Sequence, residues 1–207
     1  MVTRLPFLKC LDRSQPHTFL KPVKRINEGQ DVLLFHVSEG YRDIITFLSQ
    51  LNHAMFPSIN HDGTVFFELG SPAVDFSPVI VQLRHLLGDL ESLMDEAPPA
   101  TGPRRFGNVS FRTWCGLLED RGPELLRKYL PDTVLSFNQT GHGEPLAELE
   151  GYLNGSFGSS QRLDYGTGHE LSFLAFLGCI WKLGGFPGDT AAPGDAERAI
   201  VLGVIDR

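Results

Sequence analysis

Between His169 and Leu183 the chain carries Leu171, Phe173, Leu174, Phe176, Leu177, Ile180 and Trp181, so a helix over this span is apolar nearly all round. Such a helix has no face to leave in water, and it demands a place at the centre of a bundle. The rest of the sequence supplies the cover. From Ser38 onward, Tyr41, Ile44, Ile45, Leu48, Leu51 and Met55 recur as a one-sided helical stripe. Ser77-Pro78 predicts a clean helix start, a serine N-cap with proline in the first turn. Its stripe runs through Val79, Leu83, Leu86, Leu87, Leu90 and Met94 and stops at Pro98-Pro99. Further helices are expected over Phe111–Leu118, from Pro123 to before Pro131, and around Leu146, Leu149 and Tyr152 or Leu153. Asp195 is expected to cap a last helix through Ile200, Val201 and Val204, which reaches Arg207 without a stop signal and so predicts a chain cut short there. The sequence therefore reads as mostly helical. The exception is Phe56–Ser77, where Asp62-Gly63 predicts a turn with a short strand after it. The stretches 138–143 and 184–194 are expected to be loops.

Composition narrows the function classes. The 207 residues carry a formal charge of −7, which argues against nucleic acid and against an anionic membrane as partners. Two short basic clusters, Lys21, Lys24 and Arg25, and Arg104 with Arg105, are expected to be solvated surface. The N-terminus has no signal-peptide core, and no apolar run approaches the ~20 residues that span a bilayer. Cys115 and Cys179 sit in apolar stretches and read as reduced core cysteines; with Cys10 they make an odd set without a C-x-x-C pair. A reducing compartment is expected.

The most unusual local sequence is Arg162-Leu163-Asp164-Tyr165-Gly166-Thr167-Gly168-His169-Glu170, just ahead of the apolar helix. One reading is a capping box, with Thr167 as N-cap and Glu170 three residues on. The other is an anion site. A helix N-terminus offers free amides, Gly166 and Gly168 let a phosphate approach, and Arg162 can add a bidentate contact. Asp164 and Glu170 oppose a polyphosphate there unless a divalent cation intervenes. The two readings are compatible if Glu170 caps while phosphates take other amides. Familiar motifs are missing. There is no Walker loop, Leu171 stands where a dinucleotide fingerprint needs its third glycine, and Phe173 replaces the second histidine of H-E-x-x-H. No G-x-S-x-G elbow exists.

The same segment, continued through Leu171-Ser172-Phe173-Leu174-Ala175-Phe176-Leu177, resembles the signature of the phosphotyrosyl phosphatase activator family. Arg105-Phe106-Gly107-Asn108 followed by Phe111-Arg112-Thr113-Trp114 resembles a second block of that family. Ser38-x-x-Tyr41 through Leu51-Asn52 and Met94-Asp95-Glu96-Ala97-Pro98-Pro99 resemble two weaker ones, in the family's order. The resemblance runs from about Phe19 to the chain end, leaving residues 1–18 as a variable N-terminal segment.

The resemblance implies an all-α core and lid around a deep groove that binds ATP. With magnesium, members convert inactive type-2A phosphatase to its active serine/threonine form. The implied partners are the phosphatase catalytic subunit and scaffold. Peptidyl-prolyl cis–trans isomerase activity toward a proline-containing peptide is also implied, as is a cytoplasmic location with the nucleus as a second compartment. Matched to the motif, Arg162, Thr167 and Gly168 are the expected nucleotide contacts. Asp164, Tyr165, Gly166, His169 and Glu170 would line the groove and meet the partner, with Arg105 and Asn108. Phe106, Phe111 and Trp114 read as packing, and Gly107-Asn108 as a turn ahead of a helix. No residue is matched to isomerase catalysis. The family's later block, with its magnesium residues, has no counterpart in Gly184–Arg207. That leaves a second expectation, a non-catalytic phosphatase-binding module that has lost nucleotide use.

Overall fold

The structure, a computed structural model, describes residues 6–60, 63–70, 76–102, 107–137, 142–186 and 193–206. Among them are eight α-helices: α1 Gly29–His36, α2 Glu39–Ala54, α3 Pro78–Ser92, α4 Ser110–Tyr129, α5 Asp132–Leu135, α6 Pro145–Asn154, α7 Thr167–Lys182 and α8 Asp195–Ile200. A single strand pair interrupts them, β1 Ser58–Asn60 antiparallel to β2 Gly63–Val65, with Asn60 opposite Gly63. It lies in the segment expected to hold a turn and one short strand, and β1 is the added partner strand; Asp62 falls outside the described residues. The all-α reading holds, and no described helix is long and apolar enough to cross a membrane.

The larger helices form a closed ring of packing. α4 lies between α3 and α6, α6 meets α7, α7 meets α2, and α2 meets α8. α8 runs on into a π-helical turn, Val201–Ile205, that returns to α3. Inside the ring Leu86, Leu126, Val134, Leu153, Leu177, Ile180 and Ile200 are fully buried. Each such side chain contributes about 1.5–3 kcal/mol by leaving water. The N-terminal residues strap the ring from outside. Leu8 is buried, its amide donates to Gln50 Oε1 at 2.9 Å, and its carbonyl accepts from Trp181 Nε1 at 2.9 Å. Leu11 N–H follows onto the Lys182 carbonyl at 2.7 Å.

Local chemistry explains most helix ends. Ser38 caps α2 by accepting from the Tyr41 amide at 3.1 Å. Ser77 holds the N-cap position of α3 with Pro78 behind it, but its hydroxyl makes no capping bond. Beyond Ser92 the chain tightens into a 3-10 turn, Leu93–Asp95, which turns Leu93 inward and leaves Met94 on the surface. The expected stripe therefore fails at Met94. α8 starts from Gly194, in the left-handed region at φ 89°, rather than from an Asp195 cap. α1 has no counterpart among the expected helices. None of its residues is buried, so no apolar stripe announces it.

Two expectations are corrected. Phe111–Leu118 and the helix from Pro123 are one helix, α4, with Pro123 inside it. Proline removes one amide donor and usually breaks a helix. Here Trp114, Leu118, Gly122 and Leu126 are buried on both sides of it, and that packing carries the helix across the missing bond. The second correction concerns α7. Phe176, Leu177, Gly178, Ile180 and Trp181 are buried, as the pattern demanded. Its first turn is open, and Leu171 is 39% exposed. Only the C-terminal half of α7 occupies the centre.

Candidate functional site

The open end of α7 is where the unusual motif lies, and the structure assembles it from three elements. α6 ends at Asn154 and a loop runs from Gly155 to Gly166. That loop folds back on itself before α7 begins. Ser159 N–H donates to the Asp164 carbonyl at 2.9 Å, and Leu163 N–H to the Ser159 carbonyl at 2.7 Å. The Arg162 amide donates to Ser159 Oγ at 3.1 Å. At the tip Leu163 holds φ at +56°, in the left-handed region that side chains rarely adopt. The first turn of α4 backs the loop through Phe111, which stacks on Trp114 at 5.8 Å, while Trp114 meets Phe157 edge-on at 5.1 Å. Phe111 and Trp114 are thus packing residues, as expected, and Phe106 lies outside the described residues.

The capping box is not formed. Gly166, extended at φ −164°, is the N-cap of α7, and no side chain caps the end. Thr167 is the first helical residue, so its hydroxyl cannot reach the amide of Glu170 as an N-cap would. The reason is local: Gly166 O already accepts from His169 N–H at 2.8 Å, which starts the helix one residue early. The amides of Thr167 and Gly168 consequently have no acceptor within the helix. A β-carbon added at Gly166 or Gly168 would meet no neighbouring atom. Packing does not require these glycines; they leave the amides open to approach from outside. Thr167, Gly168 and Glu170 are all exposed.

The charged residues around this end are partly engaged with one another. Arg162 Nε donates to Asp164 Oδ2 at 2.8 Å. That bond holds the Asp164 carboxyl below the usual aspartate range and pushes the guanidinium up. Both side chains are half or more exposed, so water and salt screen the pair. His169 is fixed by Nδ1, 2.6 Å from the Gly155 carbonyl. A carbonyl only accepts, so Nδ1 carries the proton and Nε2 is the acceptor of the neutral ring. The Tyr165 ring stacks over that imidazole at 5.6 Å. Arg162, Asp164, Tyr165, Gly166, Thr167, Gly168, His169 and Glu170 therefore stand together on one exposed end of α7 and its approach loop.

Asn108 stands apart from them in role. Its Oδ1 accepts from the Ala100 and Ser110 amides at 3.1 and 3.0 Å, and its Nδ2 donates to the Ala100 carbonyl at 3.4 Å. It ties the preceding loop to the start of α4. Arg105 lies outside the described residues, as does Arg104. Gly107 was read only as a turn, but it touches the motif: a β-carbon there would stand 2.7 Å from the Leu163 carbonyl oxygen. Arg112, which the sequence offers only as part of the second block, and Ser159 also hold the loop. Nothing in a linear reading signals a contact across some fifty residues.

One concavity is lined by motif residues, and a second by the aromatic residues that back the loop. The first, of about 380 Å³, lies behind the loop and is lined by Cys115, Glu119, Asn154, Ser159, Arg162 and His169. Asn154 Oδ1 is buried without a hydrogen-bond partner. The other, of about 700 Å³, is mainly apolar and includes Leu90, Met94, Pro99, Phe111, Trp114 and Phe157. Among the described residues no group of three or more His, Cys, Asp or Glu side chains could share a metal ion. The open amides, the two glycines and Arg162 fit a phosphate group. A magnesium ion would have only exposed carboxylates such as Asp164 and Glu170 to meet here.

Comparison with known proteins identifies the family. Residues 22–207 match the family model described as "Phosphotyrosyl phosphate activator (PTPA) protein". The chain is 54% identical over 206 residues to serine/threonine-protein phosphatase 2A activator 1 of Emericella nidulans, covering 98% of this chain and 47% of that protein. It is 55% identical over 204 residues to the protein of the same name from Aspergillus fumigatus, covering 97% and 43%. The chain thus spans about half the length of the curated relatives it matches. Among solved structures, the PP2A phosphatase activator Ypa1 is similar with a TM-score of 0.67 and 33% identity, over 94% of this chain and 60% of that one. On these matches the chain belongs to the phosphotyrosyl phosphatase activator family.

Proposed function

We propose that this chain acts on type-2A serine/threonine protein phosphatases as an activator that uses ATP and magnesium at the N-terminus of α7. The observation that carries the reading is the uncapped helix end, where the Thr167 and Gly168 amides are open beside Arg162. A phosphate there would take those amides and the partial positive charge of the helix. Arg162 would leave Asp164 and form a bidentate contact with phosphate oxygens. Magnesium, when bound, would neutralise part of the polyphosphate charge beside Asp164 and Glu170. Tyr165 and His169, fixed by their stack and by the Gly155 carbonyl, would shape the wall beside the nucleotide and meet the phosphatase. The relatives carry phosphatase 2A activator in their names, which supports the choice of partner.

Peptidyl-prolyl isomerase activity belongs to the same proposal. It needs no nucleophile, because a groove that favours the twisted imide lowers a barrier of about 20 kcal/mol by differential binding alone. A proline peptide, a cytoplasmic and nuclear location, and contact with the phosphatase scaffold complete the reading. The test is conversion of inactive phosphatase. Catalytic subunit and scaffold are incubated with this chain, ATP and magnesium, and serine/threonine phosphatase activity is followed. Gain of activity that requires ATP supports the proposal; no gain, with binding to the phosphatase retained, leaves a non-catalytic docking module. That second reading is favoured by one observation, the engagement of Arg162 by Asp164.

A further inference from the structure

The loop that carries Arg162 is held from outside itself. Arg112, in the first turn of α4, donates from Nε to the Ser160 carbonyl at 3.0 Å and from Nη2 to the Gln161 carbonyl at 3.3 Å. Those are the two residues immediately before Arg162. Arg112 takes part in none of the ion pairs found among the described residues, so its planar fork is committed to these two oxygens. On the other side Leu163, at φ +56°, rests on Gly107. Gly107 itself sits at φ +86°, and a β-carbon there would stand 2.7 Å from Leu163 O and 2.8 Å from Leu163 Cβ. Gly158, at φ +125°, closes the base, where a β-carbon would fall 2.8 Å from Asp164 O and 3.2 Å from the Phe111 ring. A backbone in so sparsely populated a conformation persists only where its surroundings over-determine it.

We infer that Arg112 is a positioning residue for Arg162. Its fork fixes the Ser160 and Gln161 carbonyls, Gly107 supplies the surface against which Leu163 turns, and together they set the direction in which Arg162 leaves the chain beside the α7 N-terminus. Its consequence for ligand binding rests on the nucleotide reading above; the clamp itself does not. Lysine, a point charge without a fork, cannot hold two carbonyls in this way.

The test uses Arg112→Lys, Arg112→Gln and Gly107→Ala in the full chain, with two readouts and a thermal melt. Hydrogen exchange at Ser159 and Leu163, whose amides bond within the loop, reports the clamp. Titration calorimetry with ATP and magnesium reports the site. Both Arg112 variants are expected to keep the wild-type melting temperature while the two loop amides exchange on the order of tenfold faster. ATP is expected to bind on the order of tenfold more weakly, as loss of a charge-assisted contact implies. Gly107→Ala should reproduce both changes by displacing Leu163, with Arg112 intact. Unchanged loop exchange in the Arg112 variants overturns the inference. So does an Arg112→Lys protein that behaves as wild type in both readouts, because charge alone would then suffice. A wild-type chain that binds no ATP, with loop exchange still responding to Arg112, removes the nucleotide reading and leaves the positioning of Arg162 standing.

Discussion

Gln50 is the joint between three parts of the molecule, and its removal should be costly for a calculable reason. The residue is 7% exposed, and Glu197, to which it donates from Nε2 at 2.8 Å, is 6% exposed. Its Oε1 accepts the Leu8 amide at 2.9 Å. One side chain on α2 thus serves the N-terminal strap and α8 together. Gln50→Ala loses a neutral hydrogen bond, about 1 kcal/mol, and a bond to a carboxylate, about 2 kcal/mol. The space left behind adds about 1 kcal/mol. The sum is about 4 kcal/mol, or a fall of about 8–16 °C in Tm for a chain of this size. Glu197→Gln should cost less than about 1 kcal/mol, because an amide oxygen still accepts from Gln50 and a buried charge is removed. Urea unfolding of the three proteins with a common slope measures both values. The reasoning fails if Gln50→Ala lies within about 1 kcal/mol of wild type, or if Glu197→Gln is equally damaging.

Three further outcomes follow from named features. Pro123→Ala restores an amide donor inside α4 and should raise stability by about 1 kcal/mol or more in the same urea assay; a decrease would mean the ring itself is needed for packing. Thiol labelling of the native protein should modify exposed Cys10 first and Cys179 last, since burial pushes the Cys179 thiol up to about 12, and equal rates would contradict that burial. The Asp164 carboxyl, depressed first by its bond to Arg162, should titrate higher, toward the ordinary aspartate range, in Arg162→Ala. The sign is that of a lowered acid: the pair's small contribution is present above the ordinary aspartate value and lost as pH falls through the lowered one. Carboxyl NMR of Asp164 follows it, and an unshifted titration in the variant would remove the pair as the cause.

Much of the fold could be read in the chain because its helices are amphipathic and several ends are written in local chemistry. α2 begins where Ser38 caps it, but its buried face is Phe47, Gln50, Leu51 and Ala54; of the expected stripe only Leu51 is buried, and Ile45 and Leu48 are exposed. The places that misled are those where distant packing outweighs a local signal. Pro123 reads as a stop, yet buried residues on both sides carry α4 through it. Thr167 and Glu170 match a capping box, yet the Gly166 carbonyl takes the His169 amide and starts α7 one residue earlier. That same shift opens the amides that the anion reading needed. The motif from Arg162 to Glu170 stood out by composition. What holds it, Arg112 at one side and Gly107 at the other, lies about fifty residues away and only folding brings it near.

The central claim is that the open end of α7, with Arg162, binds a nucleotide polyphosphate. Its most direct measurement is titration of this chain with ATP and magnesium by calorimetry, beside Arg162→Ala. The account predicts saturable binding to the wild-type chain that is lost or strongly weakened in the variant, with both proteins melting at the same temperature. Absence of binding to the wild-type chain, or equal binding to both, would contradict it.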